Sequence, residues 1–418
     1  MSFIPFLLYL FCTFIRPQDW VPEFLGLPLI HWLSITTMIL ILMERMTTKT
    51  LALIKVPQNL MMLGFFACIL LSQIVHTYMD GLIEAFNEFI IIFLLYFVVL
   101  NALDNERKLK ISIWFIILMV LALVPQGIFQ VQHGYGWAGQ NIIYDPDRNE
   151  SRINWIGIFN DPNDLALLFV VVIGILLAFL FGKTNFFVRI LSLGSLAALF
   201  YGIYLTNSRG GMLALASTVY FYLIKRTRKF VFGSILGGLC IAGLFAIGPS
   251  RVGLISAEEE SAYSRIDIWY EGILMMKENP LFGVGFRMFT DRLPLTAHNS
   301  FVLVAAELGF IGLFFFIALF YISYKQLSLV QDTDQKLKDF ALGLQSSLMG
   351  FSAAAFFLSR SYVILPYLLF AMSGALFFIA QKRHLKLSFN LNKNDYRNIL
   401  LLSVGMLILI YAVIKIGI

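Results

Sequence analysis

The chain alternates between long apolar runs and short polar breaks, and most runs approach the roughly 20 residues that carry a helix across hydrocarbon. Windows near 1–15, 29–43, 58–76, 83–100, 111–130, 163–182, 187–206, 211–225, 230–248, 299–322, 338–358, 361–380 and 398–416 each predict a span. The expected fold is an all-α polytopic membrane protein of about 12–13 transmembrane helices. Phe3 to Ile15 has the apolar core of a signal peptide, but no basic residue precedes it and no small-residue cleavage pattern follows, so it is read as a short first span. No linker, charge block or fixed-period repeat divides the chain, which is expected to form one integral membrane domain over residues 1–418.

Two polar connections interrupt this pattern at length, Val131 to Pro162 and Pro249 to Ala297. The second mixes Arg251, Arg265, Lys277, Arg287 and Arg292 with Glu258, Glu259, Glu260, Asp267, Glu271, Glu278 and Asp291, so it is not a simple basic patch. Within it, Ile266, Trp269, Ile273 and Met276 recur at helical spacing, and Asn279-Pro280 supplies a stop. Ser264 followed by Asp267 predicts a capped start. The expectation is a long outer loop, residues 249–297, carrying short amphipathic helices that lie on the membrane surface or cover the bundle.

Composition makes lipid the solvent. With 59% hydrophobic residues, 13% charged residues and a mean hydropathy of +0.81, the chain has more apolar surface than a soluble core hides. Cys12, Cys68 and Cys240 all lie inside apolar runs, against a disulfide framework or thiolate metal site. Lys and Arg then set orientation, because basic short loops stay cytoplasmic. With the N-terminus inside, the clusters Arg45/Lys49/Lys55, Arg107/Lys108/Lys110, Lys183/Arg189, Lys225/Arg226/Arg228/Lys229, Lys325/Lys336/Lys338 and Lys382/Arg383/Lys386/Lys393/Arg397 all fall on the cytoplasmic side. The net charge of +6 is thereby accounted for by topology, and nucleic acid is not an expected partner.

The chemistry-bearing residues then collect at the outer edge. Arg209 sits where two apolar runs meet, followed by Gly210 and Gly211, whose bare backbone lets another group approach closely. It reads either as a side chain snorkelling to headgroups or as a planar fork for phosphate oxygens. Arg265, at the amino end of the predicted amphipathic helix, reads as a solvated charge on an interfacial helix. His298, in Thr296-Ala297-His298-Asn299-Ser300, opens an apolar helix; it is either a capping histidine or a general base kept neutral by the positive helix end. Asn299 stands ready to orient it. His31, His76, His133 and His384 are weaker candidates at span borders and in loops. The Glu258–Glu260 run is read as a solvated loop rather than a cation site, so neither metal nor cofactor is expected. A Walker-type loop, His-Glu-x-x-His and a nucleophile elbow are all missing.

Taken in order, Ser208-Arg209-Gly210-Gly211, a long outer loop with Arg265 and Trp269, Asn279-Pro280-Leu281-Phe282-Gly283-Val284-Gly285, His298-Asn299-Ser300-Phe301 and Glu307-Leu308-Gly309 resemble the O-antigen ligase and polymerase superfamily of bacterial envelope glycosyltransferases. Asn160-Asp161-Pro162-Asn163 is similar to that family's asparagine-proline-asparagine element with one residue inserted, and the resemblance is strongest from Gly157 to Gly312. It implies a metal-independent, inverting transfer of a glycan en bloc from undecaprenyl pyrophosphate to an acceptor hydroxyl, at the periplasmic face of the bacterial inner membrane. His298 would be the base and Arg209 and Arg265 the pyrophosphate ligands, with Asn299, Arg287, Asn160, Asn163, Gly210 and Gly211 in support. The acceptor would be lipid A core, another glycan or a protein, according to whether the chain acts as ligase, repeat-unit polymerase or protein O-oligosaccharyltransferase. The rivals from other classes are a lipid-linked glycan flippase or transporter, for which Glu84, Glu88 and Glu307 are the available intramembrane ionisable groups, and an envelope scaffold.

Overall fold

The computed structural model describes residues 2–47, 53–145, 150–227, 229–247 and 260–417. Its long elements are α1 (Phe3–Phe14), α2 (Leu29–Thr47), α3 (Gln58–Val75), α4 (Met79–Ala102), α5 (Glu106–His133), a hairpin of β1 (Ile143–Asp145) and β2 (Glu150–Arg152), α6 (Pro162–Phe181), α7 (Phe186–Thr206), α8 (Arg209–Thr227) and α9 (Phe230–Ile247). Then follow α10 (Glu260–Glu278), α11 (Phe289–Arg292), α12 (Ser300–Thr333), α13 (Lys338–Ala355), α14 (Ile364–Arg383) and α15 (Lys393–Gly417). Each apolar window of the sequence holds one helix. Among the described residues, 9 of these helices are long and apolar enough to cross a membrane. The other windows hold α1 and α9, whose apolar stretches are shorter, and α8 and α13, which carry more small and polar residues. The protein is an all-α polytopic membrane protein.

Burial sorts the helices into a centre and a lipid-facing shell. The apolar windows of α6 and α14 are 83% and 89% buried, whereas those of α2 and α15 are only 17% and 22% buried. In water such bare helices would be untenable; in hydrocarbon they cost nothing. The centre packs α6, α8, α12 and α13 through small side chains such as Gly174, Gly343 and Ser347, which bring helix backbones close where no hydrophobic effect drives association.

The connections also sort, into two ends. Lys183 and Arg226 meet Asp339. Arg383 bridges Glu106 and Asp334, and Ser2 meets Glu44. At the opposite end His76 meets Gly283, Arg287 meets Glu88 and Thr296 meets Ser359. Each of these contacts joins two connections assigned to the same side by alternating spans.

α12 is broken at Gly309, which has φ 65° and ψ −164°. The Asn279–Gly285 loop fills the break: Phe310 N–H donates to Pro280 O (2.8 Å), while Val284 and Gly285 N–H donate to Ala306 and Glu307 carbonyls (2.9 and 3.0 Å). Helix hydrogen bonds lost at the kink are thus replaced by loop backbone, as a low-dielectric setting demands. The crossing leaves no room for side chains. A Cβ on Gly283 would lie 2.2 Å from the Glu307 carbonyl carbon, and one on Gly309 would lie 2.4 Å from that of Leu281. Both glycines also hold a positive φ.

The amphipathic helix is present as α10, packed over α12 and α15 with Trp269 and Ile273 buried, so it covers the bundle. It does not begin at Ser264, because the helix already includes Glu260. Arg251, Glu258 and Glu259 lie outside the described residues. The β1–β2 hairpin, in register Ile143 opposite Arg152, was not foreshadowed by the apolar pattern; it is a small element in the first long connection.

Candidate active site

Three helix amino ends meet at one end of the bundle, the end that alternating spans and basic loops assign to the outer side. α6 starts on Asp161, whose carboxylate accepts from Asn163 N–H (2.7 Å), with Pro162 as its first residue. α8 starts behind Ser208, whose hydroxyl oxygen accepts from Gly211 N–H (3.0 Å) while the hydroxyl donates to the Asn163 side-chain carbonyl (2.7 Å). α12 starts on Asn299, fully buried, whose carbonyl accepts from the N–H groups of Phe301 and Val302 (2.9 and 3.1 Å). Each start follows the capping preference of its residues, and together the three ends concentrate positive potential in one place.

Gly211 lets α8 and α6 touch, since a Cβ there would come within 2.6 Å of Ala166 Cβ. Gly210 faces Leu358, and a Cβ there would stand at 3.8 Å, an ordinary contact. The 358–361 segment next to it is bonded to the start of α12. Ser300 donates its hydroxyl to Leu358 O (2.6 Å) and accepts from Arg360 N–H (2.8 Å), and Ser361 donates to Ser300 O (2.9 Å). The Arg209 end of α8 and the His298 turn therefore flank one short stretch of chain.

His298 is half-buried and adopts the left-handed region, with φ 48°. It stands one residue before the Asn299 cap. Ala297, beside it, accepts from the Trp269 indole N–H (2.8 Å), which ties the turn to α10. Arg265 lies one turn before Trp269 on the same helix face, and its charge reaches His298. The imidazole is held below its usual range, first by burial, then by the Arg265 and Arg360 guanidinium groups, against an opposing pull from Asp161. Burial and two arginines supply this downward shift, where the sequence reading invoked the helix dipole.

Not every candidate joins this cluster. Arg287 is paired with Glu88 of α4 at 3.0 Å, both well exposed, and lies over the Phe286 ring. It borders a separate cavity of about 530 Å³ with Arg16, Ile158 and Tyr362. Asn160 faces away: its side-chain carbonyl accepts from Asn154 (3.0 Å), part of a buried amide network with Gln130 of α5. Asn163 does join, through Ser208 and through Arg152 of β2, which also donates to Thr206 O (3.1 Å).

Two arginines at the cluster escaped the sequence reading, Arg152 and Arg360. Arg360 donates from Nε to Asp164 and from Nη2 to Asp161 (3.1 Å). The signal for Arg360 was the one that singled out Arg209, a cation at a junction between two apolar spans. Among the described residues, no group of three or more His, Cys, Asp or Glu is placed to hold a metal ion.

No curated protein matches the chain. The family model described as O-antigen ligase matches residues 194–317, which take in Arg209, Arg265, His298 and the Glu307-Leu308-Gly309 break but neither Asn160, Asn163 nor Arg360. The resemblance read from the sequence is thus borne out over residues 194–317, where this polytopic membrane protein matches the O-antigen ligase model.

Proposed function

We propose that the protein is a periplasm-facing, inner-membrane glycosyltransferase that moves a glycan from undecaprenyl pyrophosphate to an acceptor hydroxyl. The observation that carries this reading is the placement of half-buried His298 among Arg265, Arg360 and the joined amino ends of α6, α8 and α12, which holds its imidazole below the usual range. A base beside concentrated positive potential is the pairing that such a transfer needs.

In the proposed step, His298 takes the proton of the acceptor hydroxyl as its oxygen attacks the anomeric carbon. The new glycosidic C–O bond forms as the bond from that carbon to the phosphate oxygen breaks, and the electron pair leaves with the polyprenyl pyrophosphate. Direct attack inverts the anomeric centre. Arg209 and Arg265 meet the charge that develops on the leaving group, a form of stabilisation worth about 3 kcal/mol per well-placed donor. Activation is stored in the sugar–pyrophosphate bond, so the chemistry draws on neither nucleotide, metal nor cofactor. Ligase, repeat-unit polymerase and protein O-oligosaccharyltransferase share this step and differ in whether lipid A core, glycan or protein supplies the hydroxyl.

Against a transporter, two of the three intramembrane carboxylates, Glu307 and Glu88, are already engaged. Glu307 is buried and accepts from Phe289 N–H (3.3 Å), and Glu88 pairs with Arg287. The deciding experiment reconstitutes the purified protein with polyprenyl-pyrophosphate glycan and each acceptor class. Free carrier pyrophosphate together with a new glycan product is expected; intact donor moved across the bilayer would reverse the reading.

A further inference from the structure

Arg360 occupies a place that the proposed transfer leaves unassigned. It belongs to the connection between α13 and α14, outside the 194–317 match, and its side chain is 17% exposed. Its guanidinium spends one edge on two carboxylates of the α6 start, Asp164 through Nε and Asp161 through Nη2 at 3.1 Å. A further nitrogen donates to Ser359 O at 3.0 Å. Its own backbone N–H donates to Ser300 Oγ at 2.8 Å, two residues beyond His298. The bonds to Asp161 and Asp164 span |i−j| of 199 and 196, and that to Ser300 spans 60. One residue thus joins the amino end of α6 to the turn that carries the candidate base.

We propose that Arg360 is a positioning residue: it locks the His298 turn to the amino end of α6 and fixes the charges that face the imidazole. A guanidinium suits the task because its rigid fork reaches two carboxylates at once, which an ammonium does not. The charged groups that face His298 come from three elements. Arg265 comes from α10, Arg360 from the α13–α14 connection and Asp161 from the start of α6. Arg360 neutralises Asp161 and adds a cation of its own, so removing it leaves Asp161 uncompensated near the ring. The imidazolium is then favoured. Removing Asp161 instead leaves Arg360 uncompensated, and the imidazolium is disfavoured.

The consequence for transfer rests on the function proposed above; the effect on the imidazole does not. The test therefore has two readouts on the full chain in lipid nanodiscs. Diethyl pyrocarbonate modifies neutral imidazole, and peptide mass spectrometry follows His298 separately from the other histidines, so the rate against pH gives its titration midpoint. Arg360→Gln is expected to raise that midpoint by about one pH unit. Asp161→Asn is expected to lower it, and Arg360→Lys to leave it near wild type. With polyprenyl-pyrophosphate glycan as donor, Arg360→Lys should lose at least about tenfold in kcat with little change in donor KM, since charge remains but the fork is gone. Should Arg360→Gln fail to accumulate, the Asp161→Asn midpoint carries the test. Unmoved midpoints in Arg360→Gln and Asp161→Asn, or wild-type kcat in Arg360→Lys, would overturn the proposal. Absence of transfer in the wild type, with midpoints moving as described, would instead overturn the proposed function and leave the positioning role standing.

Discussion

The two ends of the bundle use the same charged residues in opposite ways. At the inner end cations meet acids on or near the surface: Lys110 with Glu106 (2.6 Å) and Lys108 with Asp104 (3.0 Å) one helical turn away, and Arg383 with Glu106 (3.0 Å). Such pairs contribute about 0–1 kcal/mol each and mark orientation more than they hold the fold. At the outer end Arg152, Arg209, Arg265 and Arg360 are half-buried and come from four separate stretches of chain. They gather around capped helix starts and a histidine held below its usual range. Charge that sits at the surface and only marks topology is cheap, whether its partner is one turn away, as for Lys110, or far along the chain, as for Arg383 and Glu106. Charge drawn from far along the sequence into a partly buried cluster costs desolvation, and a site for an anionic substrate repays that cost.

The sharpest break in the comparison is expected at His298. His298→Ala should lower transfer by about 10²- to 10⁴-fold while donor binding and thermal stability stay near wild type, which separate donor-binding and single-turnover measurements will show. Next come Arg209→Lys and Arg265→Lys, which keep the charge and lose the fork. Each should cost about 10- to 100-fold in transfer at normal membrane abundance, and near-normal turnover in both would return these arginines to a topological role. A smaller effect, on stability, is expected where the outer loop crosses the kinked helix. Gly309→Ala puts a Cβ against the Leu281 backbone at a positive φ, so melting in detergent should reveal a loss of about 1–3 kcal/mol or more. The smallest belongs to the inner end: Lys110→Gln, which removes an exposed pair with Glu106, should cost no more than about 1 kcal/mol and leave transfer unchanged.

How far the sequence spoke follows the same division. Apolar periodicity is local, and every window that it marked holds a helix, including the kinked α12. Caps are local too, yet the one capped start read from the sequence, Ser264, falls inside α10, and the caps at Asp161 and Asn299 emerge from the structure. The glycines of Asn279–Gly285 looked like an ordinary turn because their partner, the break at Gly309, lies far along the chain and only the fold brings the two backbones together. Arg287 was expected near the base, yet Glu88, in a distant span, captures it. Asn160 instead accepts from nearby Asn154, which the distant Gln130 of α5 holds in place. Arg152 and Arg360 could have been found as exceptions to the inside preference of short basic loops. Arginines on the wrong side of the membrane are the ones that topology does not explain.

The central claim is that the outer cluster holds His298 uncharged so that it can act as the base, and the pH dependence of single-turnover transfer tests it most directly. Activity requires the unprotonated ring, and burial with Arg265 and Arg360 lowers its pKa, so transfer should fall only as pH drops below the usual histidine value of about 6.5. From there up through neutral pH it should be flat. The limb should vanish from the residual activity of His298→Ala. A limb at or above that usual value, or one that persists unchanged in His298→Ala, would contradict the account.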